Sequence, residues 1–329
     1  MIGWQIAATG AISLVGATIG ALVLFQERLL YHPGIPSRAH EGNPADYGLT
    51  FSDVPLVAAD GTLLHAWLLH APSPGGGRLG SSGPAGRRRA AGPATVLYFH
   101  GNAGNISHRL PDAVRWVRDV GVHVLLVSYR GYGQSQGSPT EAGLRQDAQA
   151  ALDWALAGGG GGGRSRQRVP APAIDPSRVW VFGRSLGGAV GLALAAANPP
   201  PALAGVIVEN TFTSINSMID VVLPPLRWAK PLNRNVWDSA GVVGRLDLPM
   251  LFMSGADDEL VPPRMMKALY ERATAGGWGR KKMVVIAGGT HNDTWYVGGD
   301  AYYSAIREFV ERAASAAASA AGGGRGRAV

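Results

Sequence analysis

The sequence predicts an α/β fold: a mostly parallel, doubly wound sheet that begins with an antiparallel pair. Three observations predict it. Short, β-rich apolar runs alternate with amphipathic stretches along most of the chain. Asp60-Gly61 stands between the first two runs as a hairpin turn. Most later runs are apolar throughout, as strands covered on both faces must be. Strands are expected over 51–57, 63–70, 95–99, 122–129, 178–182, 203–208, 250–253 and 283–286. Helices are expected over 112–120, 141–156, 186–198 and 264–274. With 329 residues, 46% of them apolar, the chain has material for one large core.

Ahead of the first strand, Gly3 to Phe25 is a run of 23 residues without a charge. At about 1.5 Å per residue it reaches roughly 34 Å, the thickness of a bilayer core. The run is long and ends in the bulky Leu24-Phe25-Gln26-Glu27-Arg28, which favours a retained transmembrane helix over a cleaved signal peptide. Arg28 and Arg38 follow the span, so the rest of the chain is expected on the cytosolic side. Gly16 and Gly20 form a G-x-x-x-G pair through which two such helices could dimerise weakly. The expected organisation is an anchor at 1–27, a catalytic domain at 45–312 and a disordered Ala/Gly-rich tail at 313–329. The anchor is expected to tether the domain without shaping its active site.

The charge is less informative than its size suggests. Net charge is +7, yet nine arginines lie in three low-complexity stretches, 71–92, 158–172 and 313–329, that hold no acidic residue. Those nine outweigh the total, so the rest of the chain is slightly acidic and no nucleic-acid surface is expected. The stretches at 71–92 and 158–172 fall between elements and read as flexible insertions. The glycine tract Gly158 to Gly163 lacks a following Lys-Ser/Thr and is no phosphate loop. Absence of cysteine removes thiol nucleophiles, disulfides and Cys-ligated metals. His65, His70, His108 and His123 stand without a carboxylate cluster, so neither metal nor cofactor is expected.

The chemistry gathers around Gly183-Arg184-Ser185-Leu186-Gly187. A G-x-S-x-G string alone is weak, but here an apolar strand enters it and a small-residue helix leaves it. That is the strand–turn–helix of a nucleophile elbow, in which the flanking glycines leave room for Ser185. A serine nucleophile needs a base, and of eight histidines only His291 follows Ser185. The orienting acid should lie between them, just beyond a strand; Asp257, Asp258, Glu259 and Glu209 all qualify. The loop His100-Gly101-Asn102-Ala103-Gly104 after the third strand can donate one oxyanion N–H from Asn102, and Leu186 the other. His100 itself reads as a loop-ordering residue. The segment Thr211 to Leu246, between two strands, is where a small cap would sit. It holds Phe212, Ile215, Met218, Val221, Leu226, Trp228 and Trp237, which either form a wall suited to an acyl chain or pack a small cap against the sheet.

The strings YFHGNAGNISHRLP, SYRGYGQSQG, VFGRSLGGAV, VENTF, SGADDELVPPRMMKALY and GGTHNDTW resemble those of α/β-hydrolases of the serine-hydrolase type. The branch they resemble is the membrane-anchored one that includes α/β-hydrolase domain-containing protein thirteen. The resemblance covers about Phe51 to Val310. It implies a single-pass anchor and hydrolase activity, with deacylation of palmitoylated proteins suggested for relatives. In the family pattern S-G-x-x-D the acid is the last residue, which selects Asp258 here. The expected activity is cleavage of an acyl ester or thioester through an acyl-enzyme. A prolyl-peptidase-type serine peptidase and a non-catalytic membrane scaffold are the alternatives.

Overall fold

The computed structural model describes residues 16–17, 19–72, 92–159, 171–274 and 280–323. Eight strands form one sheet: β1 (Phe51–Val57), β2 (Leu63–Leu69), β3 (Thr95–Phe99), β4 (His123–Ser128), β5 (Val179–Arg184), β6 (Gly205–Glu209), β7 (Met250–Gly255) and β8 (Lys281–Ile286). Their order is β1-β2-β4-β3-β5-β6-β7-β8. β2 pairs antiparallel with β1 and β4, and every later pairing is parallel. The expected strands are all present with ends shifted by up to two residues.

Helices cover both faces. On one side lie α3 (Glu141–Leu156), α4 (Leu186–Ala197), α6 (Ser239–Val243) and α7 (Pro263–Arg272), around a core that includes Leu97, Val181, Leu192 and Met266. On the other lie α2 (Leu110–Arg115), the π-turn Trp116–Val120 that continues it, and α8 (Thr294–Gly323), around Trp116, Phe182, Tyr302 and Phe309. Alternate residues of β3 and β5 serve the two cores, which is why these strands carry no polar face.

Strand order reverses beside β3: the chain steps outward to β4, then crosses back to β5 on the other side. Such a switch point leaves a crevice at the carboxyl ends of the two central strands. The loop after β3 and the elbow after β5 therefore meet. They meet very closely. A Cβ on Gly187 would stand 2.0 Å from the Phe99 carbonyl oxygen, and one on Gly183 would stand 2.1 Å from the Gly187 oxygen. Only glycine fits either position.

Between β6 and β7 the cap is built from α5 (Ile215–Val222), a 3₁₀ stretch Pro224–Leu232 and α6. Ser214 caps α5 by accepting from the Ser217 N–H. Ahead of β1, the short helix α1 (Gln26–Leu30) follows helical residues 19–24.

The two ends of the chain differ from expectation. The tail from Ala313, expected to be disordered, is the last part of α8 as far as Gly323. Alanine loses no side-chain entropy in a helix, and the run extends a helix already seeded by buried Tyr302, Ile306 and Phe309. Among the described residues, no helix is long and apolar enough to cross a membrane. The expected span, Gly3 to Phe25, lies mostly outside the described residues, as do most of 71–92 and 158–172.

Three histidines are held neutral within this fold. Burial pulls His100 down to about 3, with Arg109 adding to the effect. Burial also pulls His123 down to about 4, and its Nδ1 accepts the Ala71 N–H at 2.9 Å. His40 falls to about 4 by burial and by the neighbouring His65. Unfolding releases each toward about 6.5, so between about pH 6.5 and pH 4 the unfolded chain binds more protons than the folded one. Stability should therefore fall as pH drops through that window. Denaturant titrations across it should show a shallower pH slope for His123→Gln than for the native chain; equal slopes would contradict this account.

Candidate active site

Ser185 occupies the turn between β5 and α4 with φ 55° and ψ −119°, a conformation that side chains rarely adopt. The turn is held from both sides. Ser185 N–H donates to the Glu209 carbonyl at 2.9 Å, and Thr211 Oγ1 donates to the Ser185 carbonyl at 2.7 Å. His291 Nε2 lies 3.0 Å from Ser185 Oγ, and His291 Nδ1 lies 2.8 Å from Asp258 Oδ2. The second carboxylate oxygen, Oδ1, accepts from the N–H groups of Leu260 at 3.0 Å and Val261 at 2.8 Å. All three side chains are buried. A carboxylate acceptor at Nδ1 favours the tautomer whose Nε2 faces the serine unprotonated.

Of the other acid candidates, Asp257 and Glu259 are exposed. Glu209 is fully buried but points away from the histidine. Its carboxylate accepts from Arg184 Nε and Tyr302 Oη. Arg184 also donates to Asp112 Oδ2 at 3.2 Å, and Asp112 accepts from Tyr98 Oη at 2.6 Å and Tyr303 Oη at 2.7 Å. Burial pushes the Glu209 carboxyl above its usual range, against the pull of Arg184. This network underlies the elbow; it is scaffold.

Leu186 opens α4, so its N–H has no intrahelical acceptor and stands at the positive end of the helix. Asn102 lies in the adjoining loop, where Gly101 comes within contact of Ser185; a Cβ there would be 3.8 Å from the serine Cβ. The loop is braced by the N-terminal segment: His32 N–H donates to the Asn102 carbonyl at 2.9 Å, and Asn102 Nδ2 donates to Leu30 O at 3.1 Å. Tyr132 Oη reaches the same Asn102 carbonyl at 2.7 Å. His100 is buried and donates through Nδ1 to Gly101 O at 2.8 Å.

Ser185, Leu186 and Asn102 border one cavity of about 370 Å³. Its walls are apolar, and among the described residues no Asp, Glu, Lys or Arg lines it. Phe212, Ile215, Met218 and Leu226 of the cap face it as expected. Trp237 and Val221 do not. Trp237 is buried, with Nε1 donating to Tyr31 Oη at 3.0 Å, and Val221 packs on the main core. A larger correction concerns the N-terminal segment, expected only to tether. Ile19, Leu22, Val23 and Leu30 form a wall of this same cavity, because Arg234 and Gln26 hold their helix against the end of the cap.

Sequence reasoning missed Asn210. At φ 46° it ends β6, and its side chain donates to Thr290 O at 3.1 Å and Thr294 Oγ1 at 2.9 Å while accepting from Gly255 N–H at 2.8 Å. It thus ties the loop of His291 to the strand that precedes Asp258. The signal was there: asparagine directly after a buried strand is a residue that tolerates a left-handed turn. Among the described residues, no group of three or more His, Asp or Glu could hold a metal ion.

A serine set on a strained turn, facing a histidine at the switch point of a mostly parallel sheet, defines the class as hydrolases of the α/β-hydrolase fold. The chain belongs to the α/β-hydrolase family that includes WAV2 and bem46. Residues 91–247 match the family model described as serine aminopeptidase, S33. The α/β-hydrolase domain-containing protein WAV2 of Arabidopsis thaliana is 39% identical over 92% of this chain and 92% of its own length. Protein bem46 of Schizosaccharomyces pombe is 34% identical over 91% and 90%. The Saccharomyces cerevisiae protein YNL320W, described as an uncharacterized membrane protein, is 32% identical over 92% and 94%. The Pyrococcus furiosus esterase Pf2001 superposes with TM-score 0.62 at 18% identity over 86% of this chain and 98% of that one, a likeness of fold.

The hydrogen bonds around the three carboxylates assign them different losses. Asp258→Asn should lower kcat several hundredfold or more, since an amide at Nδ1 favours the wrong tautomer; the same change in the triad of a serine protease costs about 10⁴-fold. Asp257→Asn should stay within about tenfold. Glu209→Gln should instead lower the unfolding temperature, because it removes one of the two buried anions that face Arg184 and leaves Asp112 as the other. Kinetics and thermal melts on the three variants separate these outcomes. A kcat loss at Asp257 that exceeds the loss at Asp258 would move the acid.

Proposed function

We propose that the protein is a membrane-anchored serine hydrolase that cleaves carboxylic esters or thioesters of acyl substrates through an acyl-enzyme. The observation that carries the proposal is His291 bridging Ser185 and Asp258 at the edge of an uncharged apolar cavity.

Ser185 Oγ attacks the acyl carbonyl carbon while His291 Nε2 takes its proton. The carbonyl electron pair moves to oxygen, where the backbone N–H groups of Leu186 and Asn102 receive the negative charge. Collapse expels the alcohol or thiol, which leaves with the proton from Nε2. Water then attacks the acyl-serine and gives a proton to Nε2. The second collapse returns that proton to Ser185 Oγ and frees the carboxylic acid. Asp258 holds the imidazole in place through Nδ1 and stabilises the imidazolium that forms.

Peptidase action fits the cavity less well. An aminopeptidase must seat a substrate ammonium, and among the described residues no carboxylate lines this cavity. A scaffold without catalysis would not need a serine held at positive φ beside a histidine, which costs on the order of 1–3 kcal/mol of strain. The membrane anchor rests on the uncharged run Gly3 to Phe25 and on the yeast relative's description as a membrane protein.

Ser185 should be labelled covalently by a fluorophosphonate, and Ser185→Ala should abolish both labelling and esterase turnover. Labelling that survives in Ser185→Ala would sink the proposal. Turnover of dipeptide amides in preference to acyl esters would favour the peptidase.

A further inference from the structure

The cavity beside Ser185 is not closed by the hydrolase domain alone. Its far wall is the N-terminal segment, which presents Ile19, Leu22 and Val23 across from Met218 and Leu226 of the cap. That segment is pinned at its end. Arg234 pairs with Glu27 at 3.0 Å, and its N–H donates to Gln26 Oε1 at 2.6 Å. Just beyond, Tyr31 Oη donates to Asn235 Oδ1 at 2.9 Å. The wall is therefore a fixed surface, placed by polar contacts made by uncharged groups at the border of the space it bounds.

The rim is apolar too. Leu29 is 55% exposed and Trp228 is 58% exposed, yet both line the cavity, so it opens through an apolar edge that includes the segment just after the uncharged N-terminal run. Proteins seldom leave large apolar side chains clustered at an open edge unless something apolar passes there. A lining without charged residues disfavours a headgroup or peptide backbone in the interior and leaves a hydrocarbon chain as the group that fits.

We propose that residues 19–30 are the chain-length-determining wall of the active site: the acyl chain of the substrate lies between this segment and the cap, and the enzyme selects long acyl chains whose entry is from the bilayer side. The proposal rests on the hydrolase reading above and adds to it a substrate class and the residues that choose it. Each methylene that becomes fully buried along this wall strengthens transition-state binding by about fourfold. The end of the uncharged N-terminal run thus lines the site where the substrate is held.

The test uses the full chain in lipid nanodiscs and compares the rates at which butyl and dodecyl fluorophosphonates label Ser185. The native chain should prefer the dodecyl reagent by about a hundredfold or more, and Leu22→Trp and Val23→Trp, which fill the cavity, should lower that ratio by about tenfold. Leu24→Trp, on the same helix but outside the cavity, should keep the native ratio. Reagent partitioning into the lipid is common to all of them and cancels. If the tryptophan variants do not fold, Leu22→Ala widens the cavity and should shift preference toward a hexadecyl reagent. Labelling with a ratio unmoved by any wall substitution would overturn this proposal while leaving the hydrolase reading standing. Failure of either reagent to label Ser185 in the folded native chain would overturn both.

Discussion

Everything at this site depends on two backbones touching where a side chain would ordinarily intervene. The Gly187 Cα comes against the Phe99 carbonyl, and Gly183 comes against Gly187, so the end of β3 and the turn after β5 are one packed unit. From that contact follow the positive φ of Ser185, the placement of the first turn of α4 beside the loop after β3, and the small-residue character of α4. Gly188 and Gly191 continue the theme, since Cβ atoms there would meet Thr211 and Val181 at 2.6 Å. The strain is local. The force that sustains it is distributed over a sheet whose central strands are buried on both faces.

Beneath the elbow the protein buries charge. Arg184 occupies the variable position of the G-x-S-x-G string, and its guanidinium is met by Glu209 and Asp112, with Tyr98, Tyr302 and Tyr303 filling the remaining acceptor sites. Such pairs add little net stability when weighed against an apolar core of the same volume. Their directionality is worth more here. Glu209 fixes Arg184 through its side chain and Ser185 through its carbonyl, so β6 sets the height at which the serine leaves β5.

The sheet was legible because its signals are local: runs of apolar residues bounded by turn formers. That Ser185 and His291 would meet was legible because strand–turn–helix context around the one and chain order for the other leave few alternatives, and the two lie 3.0 Å apart. The acid was not separable from composition alone. Asp257 and Asp258 differ by one residue, and only the family spacing, then the hydrogen bond to His291, tells them apart. Asn210 was hidden because its role lies in joining three loops, which no single window displays. The N-terminal wall was hidden for a related reason: an uncharged run reads as a membrane span whether or not its end also packs on protein. The helical Ala-rich tail was misread because small residues signal both disorder and helix, and packing of the preceding turns on the sheet decides between them.

The peptide that grips Asp258 also borders the cavity beside Ser185. Leu260 and Val261 donate the N–H groups that hold Asp258, and both residues line that cavity. The hold on the carboxylate and the shape of the cavity share a segment at this edge, so variation there cannot alter one without disturbing the other. Across the cavity, Leu30 lines the space and its carbonyl accepts from Asn102 Nδ2, so the N-terminal wall is tied to the loop beside the serine in the same way. For a hydrolase of the proposed kind, a lineage drifting toward new acyl groups would be freest to change along α5 and more constrained along the other two walls, which makes the molecule's evolvability as uneven as its surface.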